Sequence, residues 1–291
     1  MVAKSPAVAR WELSYRVRRR REVLGITGPQ LAKELGFSRT YWPKVERDQR
    51  ILTESKLREL LEQLEFSEDE KAEMLELRDL AKERAWWNGY EGLFGEEQLR
   101  LWGMEAGAEE ISTVESVLIP GLLQTEDYAR ALITSDTAFI RQIEVGQRIE
   151  ARMRRQERLT DSNPLRLNVV VSEAALRQMT GGVDVLHGQL QHLAAMITGH
   201  PGTIDFRVLP FSSTTGAIFG CLTFHILEFA RPHLPALGWS EAVDWGELVE
   251  DEERIRSMTV GFGHLQSRSL SREDSLALIE KLAGRTEAPG E

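Results

Sequence analysis

Apolar residues in the first 50 positions recur at helical spacing, broken by short polar turns. Leu13, Val17 and Leu24 fall on one face of a helix that we predict from about Trp11 to Leu24. Gly25 follows the last of these apolar positions, and glycine commonly ends a helix. The chain therefore opens with a short amphipathic helix.

Two further short helices follow closely. Thr27 precedes the second by one residue, and Gln30 stands three positions later, which is the capping-box spacing. Gly36 is placed to end that helix in a left-handed turn. Ser38 then provides a cap for a third helix, which we predict to run to about Arg47. Two short helices joined at a glycine turn are typical of a helix-turn-helix motif, and their shared core is expected to contain Leu31, Ala32, Leu35, Phe37, Trp42 and Val45.

The next two helices are also marked by caps. Thr53 opens one whose apolar stripe is Leu57, Leu60, Leu61 and Leu64. That stripe fits either core packing or a dimer seam, and core packing is favoured. Ser67 and Glu70 form a second capping box before another apolar helix. We expect residues 1–66 to form the helix-turn-helix domain and residues 67–90 to form a helical connector.

The pattern becomes mixed from about residue 91. We predict an α+β domain over 91–284 and a disordered tail over 285–291. Expected strands are 165–171, 204–209 and 219–229, with the last two as sheet neighbours. Expected helices cover 96–109, a segment capped by Thr125, 144–159, 184–198, 251–267 and 272–284.

Charge is distributed unevenly between these parts. The whole chain carries −10, which by itself argues against nucleic acid. Residues 1–50, however, hold 12 Lys and Arg against 5 Asp and Glu, whereas the remaining residues carry −17. Phosphate attraction acts over about 8–10 Å in physiological salt, so a local excess of +7 is enough to favour DNA.

Several classes of function lack support in the sequence. The one cysteine, Cys221, lies in an apolar stretch and is expected to be a buried thiol, which excludes a disulfide within the chain. We see no signal peptide and no apolar run long enough for a membrane span, so a cytoplasmic location is expected. His187 and His192 lack the helical metal-pair spacing, and glycine-rich phosphate loops are missing. We expect no enzyme, no metal and no cofactor.

The segment Leu31–Ser38, followed by Lys44–Arg47, resembles the phage-repressor and Cro-like family of helix-turn-helix regulators, also called the xenobiotic-response-element type. In that family the third helix enters the major groove and the start of the second holds a phosphate. The resemblance implies DNA contacts from the following residues: Gly28, Gln30, Ser38, Arg39, Thr40, Tyr41, Lys44, Arg47, Arg50, Arg18 and Arg21.

Three positions depart from that family. Gly28 stands where a glutamine is usual, so this chain cannot make the side-chain interaction that the glutamine would provide. Pro43 falls within the third helix, which must either bend or begin later than Ser38. Arg20 occupies an inner-stripe position, and we expect its stem to cross the core with the guanidinium in water.

The remainder of the chain resembles the uncharacterised domain attached to such regulators in actinomycete bacteria, the WhiJ-like group. The motif Pro120-Gly121-Leu122-Leu123-Gln124-Thr125 is the most specific part of this resemblance. It implies regulation of development or secondary metabolism, with a neighbouring gene for a small partner protein.

Together these features predict a DNA-binding transcription regulator that acts as a homodimer on double-stranded DNA. The alternative is a protein-binding module, antitoxin-like or scaffolding, that sequesters a small partner. Tryptophans could line a ligand pocket, but core packing is the favoured interpretation. Arg152, Arg155 and Glu173 could bind an acidic ligand, although structural pairing is favoured.

Overall fold

The chain divides into two compact units, Ala3–Asn88 and Gly89–Glu291. The computed structural model describes residues 5–38, 40–136, 140–213, 223–241 and 246–286. Cys221, Trp245 and part of the expected strand 219–229 lie outside these ranges, as do residues 287–291 of the expected tail.

Five helices form the N-terminal unit: α1 Pro6–Val23, α2 Gly28–Glu34, α3 Trp42–Glu46, α4 Glu54–Gln63 and α5 Glu68–Ala81. The first begins five residues before the predicted Trp11, because Ser5 caps it by accepting a hydrogen bond from the amide of Val8. Both predicted capping boxes are present, at Thr27 with Gln30 and at Ser67 with Glu70.

A single apolar core joins all five helices. It contains the residues expected for the helix-turn-helix motif, and the leucine stripe of α4 is buried in it. Met74, Leu77 and Ala81 of α5 belong to the same core. The expected separate connector at 67–90 is therefore wrong, since α5 completes the N-terminal unit. The apolar face of α5 is buried within that unit.

The third helix begins later than predicted. Ser38 accepts a hydrogen bond from the amide of Tyr41 through its Oγ, at 3.1 Å, and this closes a turn rather than the helix. Pro43 then falls in the first turn of α3, where a missing N–H does no harm. Of the two expectations for this proline, the later start is the one observed.

The C-terminal unit contains helices α6 Glu96–Gly107, α7 Glu126–Ser135, α8 Val145–Gln156, α9 Val183–Gly199, α10 Glu252–Arg268 and α11 Arg272–Thr286. Its strands are β1 Glu110–Glu115, β2 Arg166–Ser172, β3 Ile204–Leu209, β4 Phe224–Glu228, β5 Leu237–Glu241 and β6 Gly246–Val249. The α+β prediction and its six helices are confirmed, whereas β1, β5 and β6 were not predicted.

The strands form one mixed sheet in the order β3-β2-β1-β4-β5-β6. The first three are parallel, and β4, β5 and β6 continue from β1 as antiparallel neighbours. The expectation that 204–209 and 219–229 pair with each other is wrong. Strand β1 pairs with both β2 and β4, so β1 and β2 lie between β4 and β3.

The two faces of the sheet differ. Side chains alternate along a strand, so Val114, Phe224 and Ile226 share one face and pack with Phe262 and Leu265 of α10. The residues between them point to the opposite face, which is unusually polar for a sheet interior.

Candidate functional site

The surface around α3 carries most of the residues expected to contact DNA. Ser38, Thr40 and Lys44 are exposed, and Tyr41 is partly buried against the ring of Phe37. Arg39 lies outside the described residues. The expected base-reading segment is therefore open to solvent at its polar positions, as a groove-binding helix requires.

Three cations extend from this segment, namely Lys44, Arg47 and Arg50, which we call the basic surface. All three are exposed. In the part of the chain that the structure describes, none of them forms an ion pair. Their charge is thus available to phosphates, because no carboxylate is held close to neutralise it.

The arginines of α1 are used differently. Arg21 donates to Glu46 at 2.6 Å and to the carbonyl of Ile26 at 2.8 Å, so it links the helix-turn-helix elements to one another. Arg18 is partly buried. The guanidinium of Arg20, expected to reach only water, donates instead to the carbonyls of Leu64 and Glu65 at 2.9 and 2.7 Å.

The start of α2 explains the departure at Gly28. A β-carbon there would lie 3.2 Å from Nε1 and 3.3 Å from Cδ1 of Trp42, which is closer than most side-chain contacts. Any side chain at this position, including the usual glutamine, would therefore crowd the indole of Trp42, which would have to shift by a few tenths of an ångström. Gln30 uses its Oε1 in the capping box, which leaves its Nε2 amide group to face a phosphate.

The C-terminal unit contains a cavity of about 220 Å³ on the polar face of its sheet. Thr113 and Glu115 of β1 and His225 of β4 line its floor, and α8 lines one wall with Arg152 and Arg155. Apolar side chains line much of the remainder, among them Trp102, Leu118, Ile119, Leu122, Ile133 and Ile140.

Comparison with known families assigns both units. Residues 12–74 match the model described as a helix-turn-helix domain. Residues 98–281, more than half of the chain, match the model described as a domain of unknown function, DUF5753. The chain belongs to the DUF5753 family. No curated protein and no solved structure matches it.

Three arginines of α8 face the cavity of the DUF5753 domain at i, i+4 and i+7 spacing. Arg155 forms a two-pronged ion pair with Glu105, at 2.9 and 2.7 Å. Arg148 donates to Glu144 and to the carbonyl of Leu93. The third, Arg152, donates to a neutral group, the side-chain oxygen of Gln124, at 2.6 Å.

The floor of the cavity has strongly perturbed titrations. Burial raises the pKa of Glu115 to about 8, against the opposing hydrogen bond from Thr223. Burial also lowers the pKa of His225 to about 3, and Arg155 adds to that shift. Both side chains are therefore mainly uncharged near neutral pH, so the floor consists of neutral hydrogen-bonding groups.

The favoured pairing of Arg152 and Arg155 with Glu173 is wrong, because Arg155 pairs with Glu105 instead. Glu173 lies apart from the cavity, where it pairs with Arg177 and accepts from the amide of Phe211. The spacing of Arg148, Arg152 and Arg155 was the available sequence signal for the cavity, and sequence reasoning missed it.

Neither a membrane-spanning helix nor a metal-binding cluster is found in the residues that the structure describes. Among them, no helix is both long and apolar enough to cross a membrane. Nor do the described ranges contain a cluster of three or more His, Cys, Asp or Glu side chains placed to hold a metal ion.

Proposed function

We propose that this protein is a sequence-specific transcription regulator that docks α3 in the major groove of double-stranded DNA. The observation that carries the proposal is the basic surface, where Lys44, Arg47 and Arg50 are exposed beside the polar start of α3. Phosphate contacts position such a domain, and the exposed polar side chains read base edges.

A homodimer on an inverted repeat fits the dimensions of this domain. Helix α3 has only five residues, so one copy contacts few base pairs. Two half-sites separated by about one helical turn supply the affinity that one lacks. The acidic remainder of the chain, at −17, keeps the DUF5753 domain away from the duplex.

The DUF5753 domain is the regulatory part in this proposal. Through it, a ligand or a small protein encoded by a neighbouring gene alters DNA binding, and the resemblance to WhiJ-like regulators suggests roles in development or secondary metabolism. We propose no catalytic activity for either unit.

A second candidate function is sequestration of a basic partner protein. The negative charge of residues 51–291 favours it, because an acidic surface accelerates encounter with a basic one. Tight partner binding by a protein that has no preference among DNA sequences would support this candidate against the first.

Selection from a pool of random-sequence duplexes tests the main proposal. The full chain should enrich one sequence, and its affinity for that duplex should fall steeply with salt. The double variant Arg47→Ala with Arg50→Ala should reduce the slope of log K against log salt by about 0.9 for each phosphate that the variant no longer neutralises.

Arg58→Ala is the matched control, since Arg58 is exposed in the same unit but is paired with Glu54. It should leave the slope unchanged. Failure of the wild-type chain to bind any duplex in a salt-dependent way would reject the proposed function.

A further inference from the structure

The cavity of the DUF5753 domain has the size of a small-ligand site. An apolar cavity of about 150 Å³ in another protein holds benzene. The 220 Å³ here therefore accommodates a ring or branched chain with one short substituent.

One guanidinium in this cavity has no ion-pair partner among the described residues. Among the described residues, Arg155 and Arg148 each have a carboxylate partner, but no described carboxylate lies within ion-pair distance of Arg152. Its acceptor there is Gln124, whose amide group is itself tied to the carbonyl of Ile119 at 2.7 Å. A guanidinium has five N–H donors, so Arg152 retains donors for a further acceptor.

The two remaining acids of the cavity do not form an ion pair with Arg152. Glu241 lines the cavity and its charge favours the ionised guanidinium, but it acts from beyond ion-pair distance. Glu115 accepts from the hydroxyl of Thr223 at 2.6 Å and is mainly protonated near neutral pH, since burial raises its pKa to about 8. Burial also lowers the pKa of Arg152 to about 10, an effect that Arg155 increases. A buried cation without a counterion is costly, and a bound anion would remove that cost.

The charge and the walls together define the ligand. We infer that the cavity binds a small monocarboxylic acid, with its carboxylate on the guanidinium of Arg152 and its apolar body against Trp102 and the aliphatic wall. A carboxylate matches the two-pronged donor geometry of arginine. Three arginines disfavour a cationic ligand, and a neutral apolar ligand would leave Arg152 without a direct ion-pair partner.

This inference deepens the regulatory part of the proposed function by naming the ligand class. Its test uses the full chain without DNA, so a failure of DNA binding does not affect the outcome. The probes are phenylacetate, benzoate and 4-methylpentanoate, with phenylacetamide and 2-phenylethylamine as neutral and cationic matches of the first.

Calorimetric titration should show that at least one carboxylate binds, and that the amide and the amine bind at least tenfold more weakly. Thermal unfolding should show that the bound carboxylate raises the unfolding temperature. Arg152→Met should weaken carboxylate binding at least tenfold, and Arg152→Lys should restore part of it by keeping the charge. Arg130→Met is the control, because Arg130 is exposed on α7 and paired with Glu126.

Two results would overturn the inference. One is that none of the three carboxylates binds at millimolar concentration. The other is that phenylacetamide binds as tightly as phenylacetate, which would assign the cavity to neutral ligands. If Arg152→Met does not fold, the comparison of acid, amide and amine on the wild-type chain still decides between these outcomes.

Discussion

Two arginine-rich segments of the chain place their charge in opposite environments. Around α3, Lys44, Arg47 and Arg50 extend into solvent. Along α8, Arg152 and Arg155 face a cavity where their side chains are largely removed from solvent. In our two proposals, basic side chains therefore serve a large, hydrated polyanion at one site and a single desolvated anion at the other. What separates the two uses is solvation, because interior charges need a specific partner and surface charges do not.

The largest expected difference concerns the removal of a partner. Glu105→Ala leaves Arg155 charged and without its carboxylate, and should destabilise the DUF5753 domain by about 3–5 kcal/mol. Glu54→Ala breaks an exposed pair with Arg58, which solvent screens, and should cost far less. Denaturant unfolding, with hydrogen exchange to assign each transition to its unit, measures both. Equal losses of stability in the two variants would contradict the claim that buried charges need a specific partner and exposed ones do not.

Lys44→Ala tests the comparison at the solvent-exposed basic surface. If Lys44 reads a base, the variant should bind the selected duplex about 1–3 kcal/mol more weakly, with a smaller change for random duplexes. Lys82→Ala is a matched control, since Lys82 is exposed at the end of α5. An equal loss for both kinds of duplex would make Lys44 a phosphate contact instead.

A pH titration of stability tests the comparison at the cavity of the DUF5753 domain. The pKa of Glu115 is raised to about 8, so the folded state holds a proton that the unfolded state has released, and this stability is lost as pH rises through 8. Between about pH 6.5 and 8 the loss should be roughly 2 kcal/mol. His225, with its pKa lowered to about 3, titrates below this window in the folded state, and Arg152 titrates above it.

Glu115→Gln should abolish that loss, because an amide has no proton to release in this range. The measurement is the denaturation midpoint of the DUF5753 domain at several pH values. If the wild type and the variant show the same slope, Glu115 is ionised in the folded protein at neutral pH.

The smallest expected effect is a difference in stability between variants of two arginines in the N-terminal unit, Arg20 and Arg47. Arg20→Met removes two hydrogen bonds to the carbonyls at the end of α4 and should cost about 1–2 kcal/mol of stability. Arg47→Ala should change stability by less than about 0.5 kcal/mol, since its side chain is exposed. Thermal unfolding of the two variants measures the difference, and equal values would mean that Arg47 also has a structural role.

Local signals were enough to predict most of the helices. A cap such as Thr27 with Gln30 involves residues three positions apart, so the sequence contains the whole interaction. The late start of α3 shows the limit of this reasoning. Ser38 has the chemistry of a cap, but Pro43 is compatible only with the first turn of a helix, and that constraint fixes where α3 begins.

Sheet order and the cavity depend on distant contacts. The pairing of β1 with both β2 and β4 joins residues more than fifty positions apart, which local patterns do not encode. The spacing of Arg148, Arg152 and Arg155 predicts one helix face, but a solvated face has the same spacing. Only the fold shows that this face is covered by Trp102 and Glu105.

The close approach of Gly28 and Trp42 restricts which substitutions could change the DNA specificity of this protein. A transplanted recognition helix with a smaller residue in place of Trp42 would leave an empty space beside Gly28. A glutamine placed at position 28 alone would instead crowd Trp42. Exchanging positions 28 and 42 together avoids both problems.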